Sequence, residues 1–346
     1  MPWMRIGNFP TPVEECPALA ERIGAGRVFI KRDDLTSRLY GGNKVRKLEF
    51  VLADAERRKY SRLLTIGGIG SNHLLATTIH GGERGFKTIG CVTPQPVTPH
   101  VKKNLLLYKH FGTELHLASG DSAVPGLAIE VIARNAMRGR AVYFVAVGGS
   151  SPLGAIGYVE AAYELLRQVE AGVLPEPDYI FTASGSGGTA AGLSVGCRAA
   201  NMKTRVVATQ VADLASSLVV SQLATLCSAK LRMADSKFPF MLLLPSDIDH
   251  RSQFFGERYG AHTREGEEAI EIMKETAGLK LEGVYTGKAA SAMIAAGRSG
   301  ELAGKTVVYW HTFNSVDLSD LAAKHSYKEL PRRFHKFFET PEHELG

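Results

Sequence analysis

The stretch Tyr40-Gly-Gly-Asn-Lys-Val-Arg-Lys-Leu-Glu-Phe50 sets a lysine behind two glycines and an asparagine, at the mouth of a predicted helix. Val45, Leu48, Leu52 and Ala55 recur at the spacing of one apolar face, which predicts a helix over Lys44–Lys59. Asn43 is a good N-cap, because its side-chain oxygen can take an orphan amide at the helix start. Lys44 then stands in the first turn, near the positive end of the helix dipole, where a cation is disfavoured. Such a field favours the neutral amine, and the neutral amine is the form that attacks a carbonyl. The plain alternative is a solvated lysine after a Gly-Gly turn, and the rest of the chain decides between the two.

A second stretch, Ser184-Gly-Ser-Gly-Gly-Thr189, falls between a predicted strand (Tyr179–Ala183) and a helix beginning at Thr189. Glycines let backbone amides close on an anion, hydroxyls add donors, and the helix N-terminus supplies a favourable field. The same residues imitate a dinucleotide fingerprint, but that motif needs an acid at the end of the next strand, where this chain has Thr209-Gln210. The Gly-Lys-Ser/Thr ending of a nucleoside-triphosphate loop is missing too. A monophosphate ester fits better, with a flexible turn as the alternative. A third stretch, Gly67-Gly-Ile-Gly-Ser-Asn-His73, is another strand–loop–helix turn whose hydroxyl and amide can bind a carboxylate or a ring oxygen. A simple N-cap turn accounts for it equally well.

These stretches sit on alternating elements. Strands are predicted at Val28–Lys31, Leu63–Ile66, Thr88–Val92, Glu114–Leu117 and Ala141–Val147. Between them fall helices at His73–Glu83, Pro99–Phe111 and Pro125–Arg138. The second half repeats the scheme with helix Ala155–Ala171, strand Arg205–Gln210, helix Leu214–Ala229, helix Thr263–Ala277 and strand Thr306–His311. Strands alternating with helices imply βαβ units and a mostly parallel sheet, an α/β fold. The final thirty or so residues are basic and aromatic and read as a docking tail.

Composition narrows the function. A chain of 346 residues implies about two domains. Hydrophobic residues at 45%, charged residues at 22% and a mean hydropathy of -0.05 are ordinary for a soluble protein. No apolar run approaches the roughly 20 residues of a membrane span, and the N-terminus has no signal-peptide pattern, so the cytoplasm is expected. Cys16, Cys91, Cys197 and Cys227 form no Cys-x-x-Cys pair, and the eleven histidines form no metal-binding pair, so neither a disulfide framework nor a metal is expected. The net charge of +6 is spread over short clusters such as Arg57-Arg58-Lys59. That pattern suits solvated faces and a small anionic ligand, and no nucleic-acid motif accompanies it.

A lysine near the N-terminus, a Ser-Asn turn after the next strand and a later phosphate cradle together suggest pyridoxal phosphate. The sequence here resembles the D-cysteine desulfhydrase and 1-aminocyclopropane-1-carboxylate (ACC) deaminase family, within the tryptophan synthase β-type, fold type II enzymes. The resemblance is carried by Lys31-Arg-Asp-Asp-Leu35 with Gly41-Gly-Asn-Lys-Val-Arg-Lys-Leu-Glu49, by Gly67–His73, by Ser184–Thr189 and by Val284-Tyr-Thr-Gly-Lys-Ala289, and it runs from about residue 5 to 320. It implies that Lys44 holds the cofactor covalently and that Asn72 bonds its ring oxygen. Ser184, Gly185, Ser186, Gly187, Gly188 and Thr189 would hold its phosphate, and Thr312 would stand near its pyridine nitrogen. Ser71, with Asn72 and His73, would meet the substrate, and Tyr285 and Tyr259 would be active-site tyrosines.

Departures from the family pattern fall on the substrate side: Gly70 for a glutamine, Leu75 for an arginine, Phe313-Asn314 for two glycines, and Glu257-Arg258 for Pro-Gly. Thr286 stands where ACC deaminases have a glutamate. The resemblance implies two three-layer αβα domains with mostly parallel sheets, one of residues 1–48 plus 161–346 and one of residues 49–160, with the cofactor between them in a homodimer. The expected activity is a carbon–sulfur lyase acting on D-cysteine. L-Cysteate sulfo-lyase, ACC deaminase, a β-replacement synthase and a non-enzymatic small-molecule binder are the alternatives.

Overall fold

Side chains alternate along each strand, and that alternation decides which helices cover which face. The computed structural model describes residues 1–339, so the last seven residues of the predicted tail lie outside the described residues. In chain order the elements begin with β1 (Val13–Glu15), α1 (Pro17–Ile23), β2 (Arg27–Arg32) and α2 (Lys44–Arg57). They continue with β3 (Arg62–Gly68), α3 (Asn72–Gly82), β4 (Lys87–Thr93), α4 (Pro99–His110), β5 (Glu114–Leu117), α5 (Val124–Ala136) and β6 (Val142–Val145). Then come α6 (Pro152–Glu170), β7 (Tyr179–Ser184), α7 (Gly188–Ala199), β8 (Arg205–Gln210), α8 (Ser217–Ala234) and β9 (Asp249–Arg251). The last are α9 (Arg264–Ala277), α10 (Thr286–Arg298), β10 (Thr306–His311), α11 (Ser319–Ala322) and α12 (Lys336–Glu339).

The chain divides into two compact units, the first built from Ile6–Phe50 and Ser150–Ser315 and the second mainly from Val51–Gly149 with residues 316–339. The sheet of the first unit has the order β1-β2-β10-β7-β8-β9 and is parallel except at β1. Phe29, Ile180, Ala208, Val308 and Trp310 point to the face covered by α6, α7 and α8. Their neighbours Val28, Ile30, Phe181, Val207 and Tyr309 point to the face covered by α1, α9 and α10. The second unit has an all-parallel sheet of order β5-β4-β3-β6. Leu64, Ile89 and Cys91 meet α5 on one face. On the other face Gly90 lets Leu74 of α3 press onto the backbone, since a Cβ there would stand 2.5 Å from Leu74 Cδ2.

Both sheets are therefore α/β layers of the predicted kind, and the main strands and helices fall where periodicity placed them. Six elements were not anticipated, two of them the four-residue helices α11 and α12, too short to show a helical period. The strands β1 and β9 are three residues each, too short to show alternation. Helix α1 has seven residues and begins at a proline. Helix α10 is small-residue rich and almost wholly buried, so it has no polar face to mark its period.

Beneath the first unit's sheet lies a polar network that the apolar pattern hides. The Arg46 guanidinium sits between Asp33 (2.7 and 2.9 Å) and Glu164 (3.0 Å to each oxygen). Tyr158 and Trp310 each donate to Asp33 Oδ2, at 2.8 and 2.7 Å. Lys31 Nζ meets Glu164 at 2.5 Å, Gln168 at 2.7 Å and the Thr11 carbonyl at 2.8 Å. Burial pushes both carboxyls up, yet Arg46 outweighs it and holds Asp33 and Glu164 below their ordinary ranges. Groups depressed in the folded state stabilise above their unfolded pKa and lose that contribution as pH falls through the folded one, so the network holds at neutral pH and gives way in acid.

Removing Arg46 would leave the buried Asp33 without its salt-bridge partner and Glu164 with Lys31 alone. Arg46→Ala is expected to cost about 3–5 kcal/mol, read as a lower urea midpoint. A midpoint equal to that of the parent would show that the network contributes no net stability.

Candidate active site

Lys44 opens α2, and its neighbours connect it to the glycine-rich loop. Its Nζ donates to Asn43 Oδ1 at 2.7 Å, and Asn43 Nδ2 donates to Thr189 Oγ1 at 3.1 Å. The Asn43 oxygen expected to cap the helix thus serves Lys44 instead. Burial pushes the Lys44 pKa down to about 8, against a smaller opposing pull from the Glu282 carboxylate. Loss of water around the amine is therefore the main cause of the shift the sequence assigned to the dipole.

Between β7 and α7 the loop turns through Gly187, whose φ of 79° is left-handed and suits glycine. Ser150, just before α6, closes the loop from behind. Its Oγ accepts from Gly188 N (3.1 Å) and from Lys47 Nζ (3.1 Å) and lies 2.8 Å from Ser186 Oγ. A Cβ on Gly188 would stand 2.3 Å from Ser150 Oγ and 2.9 Å from Lys47 Nζ, so any larger residue would push these two side chains off the loop. The buried Ser184 Oγ has no hydrogen-bond partner among the described residues. A helix N-terminus, a cluster of hydroxyls and a lysine together make a cradle for a phosphate dianion. Burial, then the charge of Lys44, pushes the Lys47 pKa well down.

Tyr285 lies against this loop, its ring 3.1 Å from where a Gly185 Cβ would be, and its hydroxyl is hydrogen-bonded to that of Tyr259. The α10 N-terminus behind Tyr285 is held by Glu282, which accepts from Val284 N (2.9 Å), Tyr285 N (2.8 Å) and Thr286 N (2.8 Å). Thr312 follows β10, and its carbonyl accepts from Asn43 N at 3.1 Å. One departure in the sequence has a use here, since Asn314 Oδ1 accepts from Gly41 N at 2.7 Å and so pins the glycine turn before Lys44. These groups gather beyond the carboxyl ends of β2, β10 and β7, where ligands bind in open parallel sheets.

Ser71, Asn72 and His73 belong to the second unit, at the start of α3. Ser71 caps the helix, its Oγ accepting from Leu74 N at 3.2 Å. Asn72 Oδ1 faces His100 Nε2 at 2.9 Å and Asn104 Nδ2 at 3.3 Å. His73 is buried, with Nε2 3.1 Å from Thr65 Oγ1, so its ring fastens α3 to β3. Gln95, from the loop after β4, lies across the turn with Oε1 accepting from Gly70 N at 3.1 Å, and Leu75 is fully buried.

Sequence reasoning missed Lys47, Ser150, Glu282, Gln95, His100 and Asn104. Only Lys47 carried a signal, because three residues after Lys44 it shares a helix face. The others reach their partners through the fold.

A lysine of lowered pKa beside a phosphate cradle defines a site for a phosphorylated aldehyde. The chain matches the family model described as pyridoxal-phosphate dependent enzyme over residues 4–312, and it belongs to that family. It is 34% identical over 298 residues to a D-cysteine desulfhydrase of Klebsiella pneumoniae, covering 85% of this chain and 88% of that one. It is 35% identical over 315 residues to a Pyrococcus furiosus protein provisionally named an ACC deaminase, covering 90% and 91%. A solved structure described as an ACC deaminase homologue superposes with a TM-score of 0.80 at 31% identity, covering 90% of this chain and 92% of the other. The protein is a pyridoxal-phosphate-dependent enzyme of fold type II. No described helix is long and apolar enough to cross a membrane, and the described residues hold no cluster of metal-ligating side chains.

The expectation that Lys44 captures the cofactor aldehyde requires its neutral form. With a pKa of about 8 rather than 10.5, the rate at which apoprotein takes up pyridoxal phosphate should rise with pH and level off above about 8. A rate still climbing near pH 10, followed by absorbance, would contradict the shift.

Proposed function

We propose that the enzyme removes the α-proton and the β-substituent of a small amino acid, and that D-cysteine is its substrate, giving pyruvate, sulfide and ammonia with uptake of one water. The observation that carries the reading is a base and an acid in one unit: Lys44, its pKa lowered to about 8, and the hydrogen-bonded Tyr259–Tyr285 pair against the phosphate loop. When bound, pyridoxal phosphate supplies the conjugated ring that takes up the electron pair left as the α-proton departs. Lys44 holds the cofactor and then accepts the α-proton. The tyrosine pair protonates the leaving sulfur. Residues Ser184 to Thr189, with Ser150 and Lys47, hold the phosphate. Asn72 donates to the ring oxygen, and Ser71, with Asn72 and His73 as the start of its helix, meets the substrate carboxylate. Thr312 offers a hydroxyl to the pyridine nitrogen, which leaves that nitrogen unprotonated and favours elimination over transamination.

Similarity to the Klebsiella D-cysteine desulfhydrase supports the substrate. Position 286 supports it as well. The resemblance places a glutamate there in ACC deaminases, whereas this chain has a threonine whose hydroxyl lies 3.2 Å from Glu282 Oε1. The test is release of 2-oxo acid by the loaded enzyme from D-cysteine, L-cysteine, L-cysteate and ACC, beside Lys44→Ala. Pyruvate from D-cysteine, lost at least a thousandfold in the variant, is expected. Pyruvate with sulfite from L-cysteate would move the leaving group to sulfonate. 2-Oxobutyrate from ACC would overturn the reading of Thr286, and no product from any of them would point to a replacement reaction.

We also propose that the enzyme is a cytoplasmic homodimer that uses the outer face of α8. All four cysteines are buried and free, as a reducing compartment allows. Val219, Leu226 and Met233 recur every seven residues on α8 and are exposed, as is Leu218. Phe240, Leu242 and Leu244 alternate outward from a segment tied to α8 through Ser228–Met241 and Thr225–Leu243 hydrogen bonds. No charged residue occurs from Leu214 to Ala229 or from Phe238 to Pro245. These side chains leave on the order of 800 Å² open, about what one partner contributes to a standard interface. Leu226→Glu is expected to give a monomer in sedimentation velocity where the parent is a dimer. A variant that stays dimeric would place the interface elsewhere.

A further inference from the structure

Three side chains of α4, spaced four residues apart on one face, hold the turn that begins α3. Asn104 Nδ2 donates to the Gly70 carbonyl at 2.9 Å, Tyr108 donates from its hydroxyl to the Ser71 carbonyl at 2.8 Å, and His100 Nε2 lies 2.9 Å from Asn72 Oδ1. One assignment of donors and acceptors pairs every one of these contacts.

A backbone carbonyl only accepts, so the end of Asn104 at Gly70 is its NH2. That same nitrogen lies 3.3 Å from the Asn72 side chain, which must therefore turn its oxygen inward, since an inward NH2 would set donor against donor. The Asn72 oxygen then faces His100 Nε2 at 2.9 Å, and two acceptors do not approach so closely. Nε2 must carry the proton. Burial, helped by the charge of Lys103, pushes the His100 pKa down to about 4, so the ring is neutral at working pH and this is its Nε2–H tautomer. Asn104 Nδ2 also lies 3.1 Å from Nε2, and with a proton there its second hydrogen turns to Asn72 Oδ1.

We propose that His100 is a positioning residue: through Nε2–H it fixes the Asn72 amide so that the NH2 end, not the carbonyl, is presented to the cofactor's ring oxygen. The inference rests on the reading of Asn72 given above. A donor at that oxygen stabilises its ionised form, whereas a carbonyl would oppose it. His100 thus sets the ionisation of the cofactor without touching it.

The test compares His100→Leu, His100→Gln, Asn72→Ala and the double variant His100→Leu/Asn72→Ala. The readouts are the affinity of the apoprotein for pyridoxal phosphate and the pH at which the absorbance of the loaded enzyme titrates. His100→Leu is expected to weaken cofactor binding about tenfold and raise the titration midpoint by about one unit. Glutamine, which can donate in its place, should restore most of both. The double variant should be no worse than Asn72→Ala, because His100 acts through Asn72. If the two losses add, or if His100→Leu leaves the midpoint unmoved while Asn72→Ala shifts it, the positioning role is overturned and the reading of Asn72 stands. If Asn72→Ala itself shifts neither readout, that reading falls and the inference with it. A lower urea midpoint for His100→Leu without glutamine rescue of the spectrum would mark a purely structural residue and overturn the proposal.

Discussion

The site depends first on the buried contact between Arg46 and the carboxylates of Asp33 and Glu164. Arg46 belongs to the first turn of α2, Asp33 follows the end of β2, and Glu164 lies within α6. A guanidinium with two carboxylates around it has one geometry that satisfies every donor, so it fixes the position and rotation of the helix that begins at Lys44. The cost of burying these charges is met by pairing them, and Tyr158, Trp310 and Lys31 take up the remaining lone pairs. Arg46 and Lys44 are two residues apart, so they leave the helix in different directions, one into the core and the other toward the phosphate loop.

At Lys44 the opposing effects are close in size. Burial favours the neutral amine and Glu282 favours the cation, and burial wins. At Lys47 burial and the charge of Lys44 both push the pKa down. Two lysines one helical turn apart are thereby made unlike. One is poised to ionise near neutral pH and suits covalent chemistry, and the other has its hydrogen bond to Ser150 behind the glycine-rich loop.

Much of this was legible in the sequence because it is local. The Gly-Gly-Asn-Lys turn, the Ser-Asn turn and the glycine-rich loop each lie on contiguous residues at a strand–helix junction, where periodicity changes abruptly. The resemblance to the desulfhydrase and deaminase family rested on the same stretches, and the family match agrees with it. What escaped was nonlocal. Ser150 and Gly188 are 38 residues apart, and Asn72 and His100 are 28 apart, and no spacing rule connects them. Arg46, Asp33, Lys31 and Glu164 would each read as a surface charge, since a charged residue at a helical spacing is normally solvated. Their burial follows from the fold and cannot be read from composition. The dipole argument for Lys44 gave the correct direction for its pKa by an incomplete cause, because the loss of solvent appears only once the surrounding helices are in place.

Gly157 of α6 lies so close to α2 that a Cβ would stand 2.1 Å from the Arg46 carbonyl, and Gly192 of α7 so close to α6 that a Cβ would stand 2.2 Å from the Ala155 carbonyl. At these two crossings α6 meets the backbone of α2, and α7 that of α6, with no side chain on the glycine to shrink, swell or repack. Adaptation to a new substrate therefore has little to work with at these two glycines, where any added side chain pushes apart the helices that begin at Lys44 and at the glycine-rich loop. It has far more freedom in the loop that carries Tyr259 and in the segment that carries Gln95, neither of which lies in either crossing. The departures from the family pattern at Glu257-Arg258 and Gly70 fall in or against those two segments, as that division of labour requires.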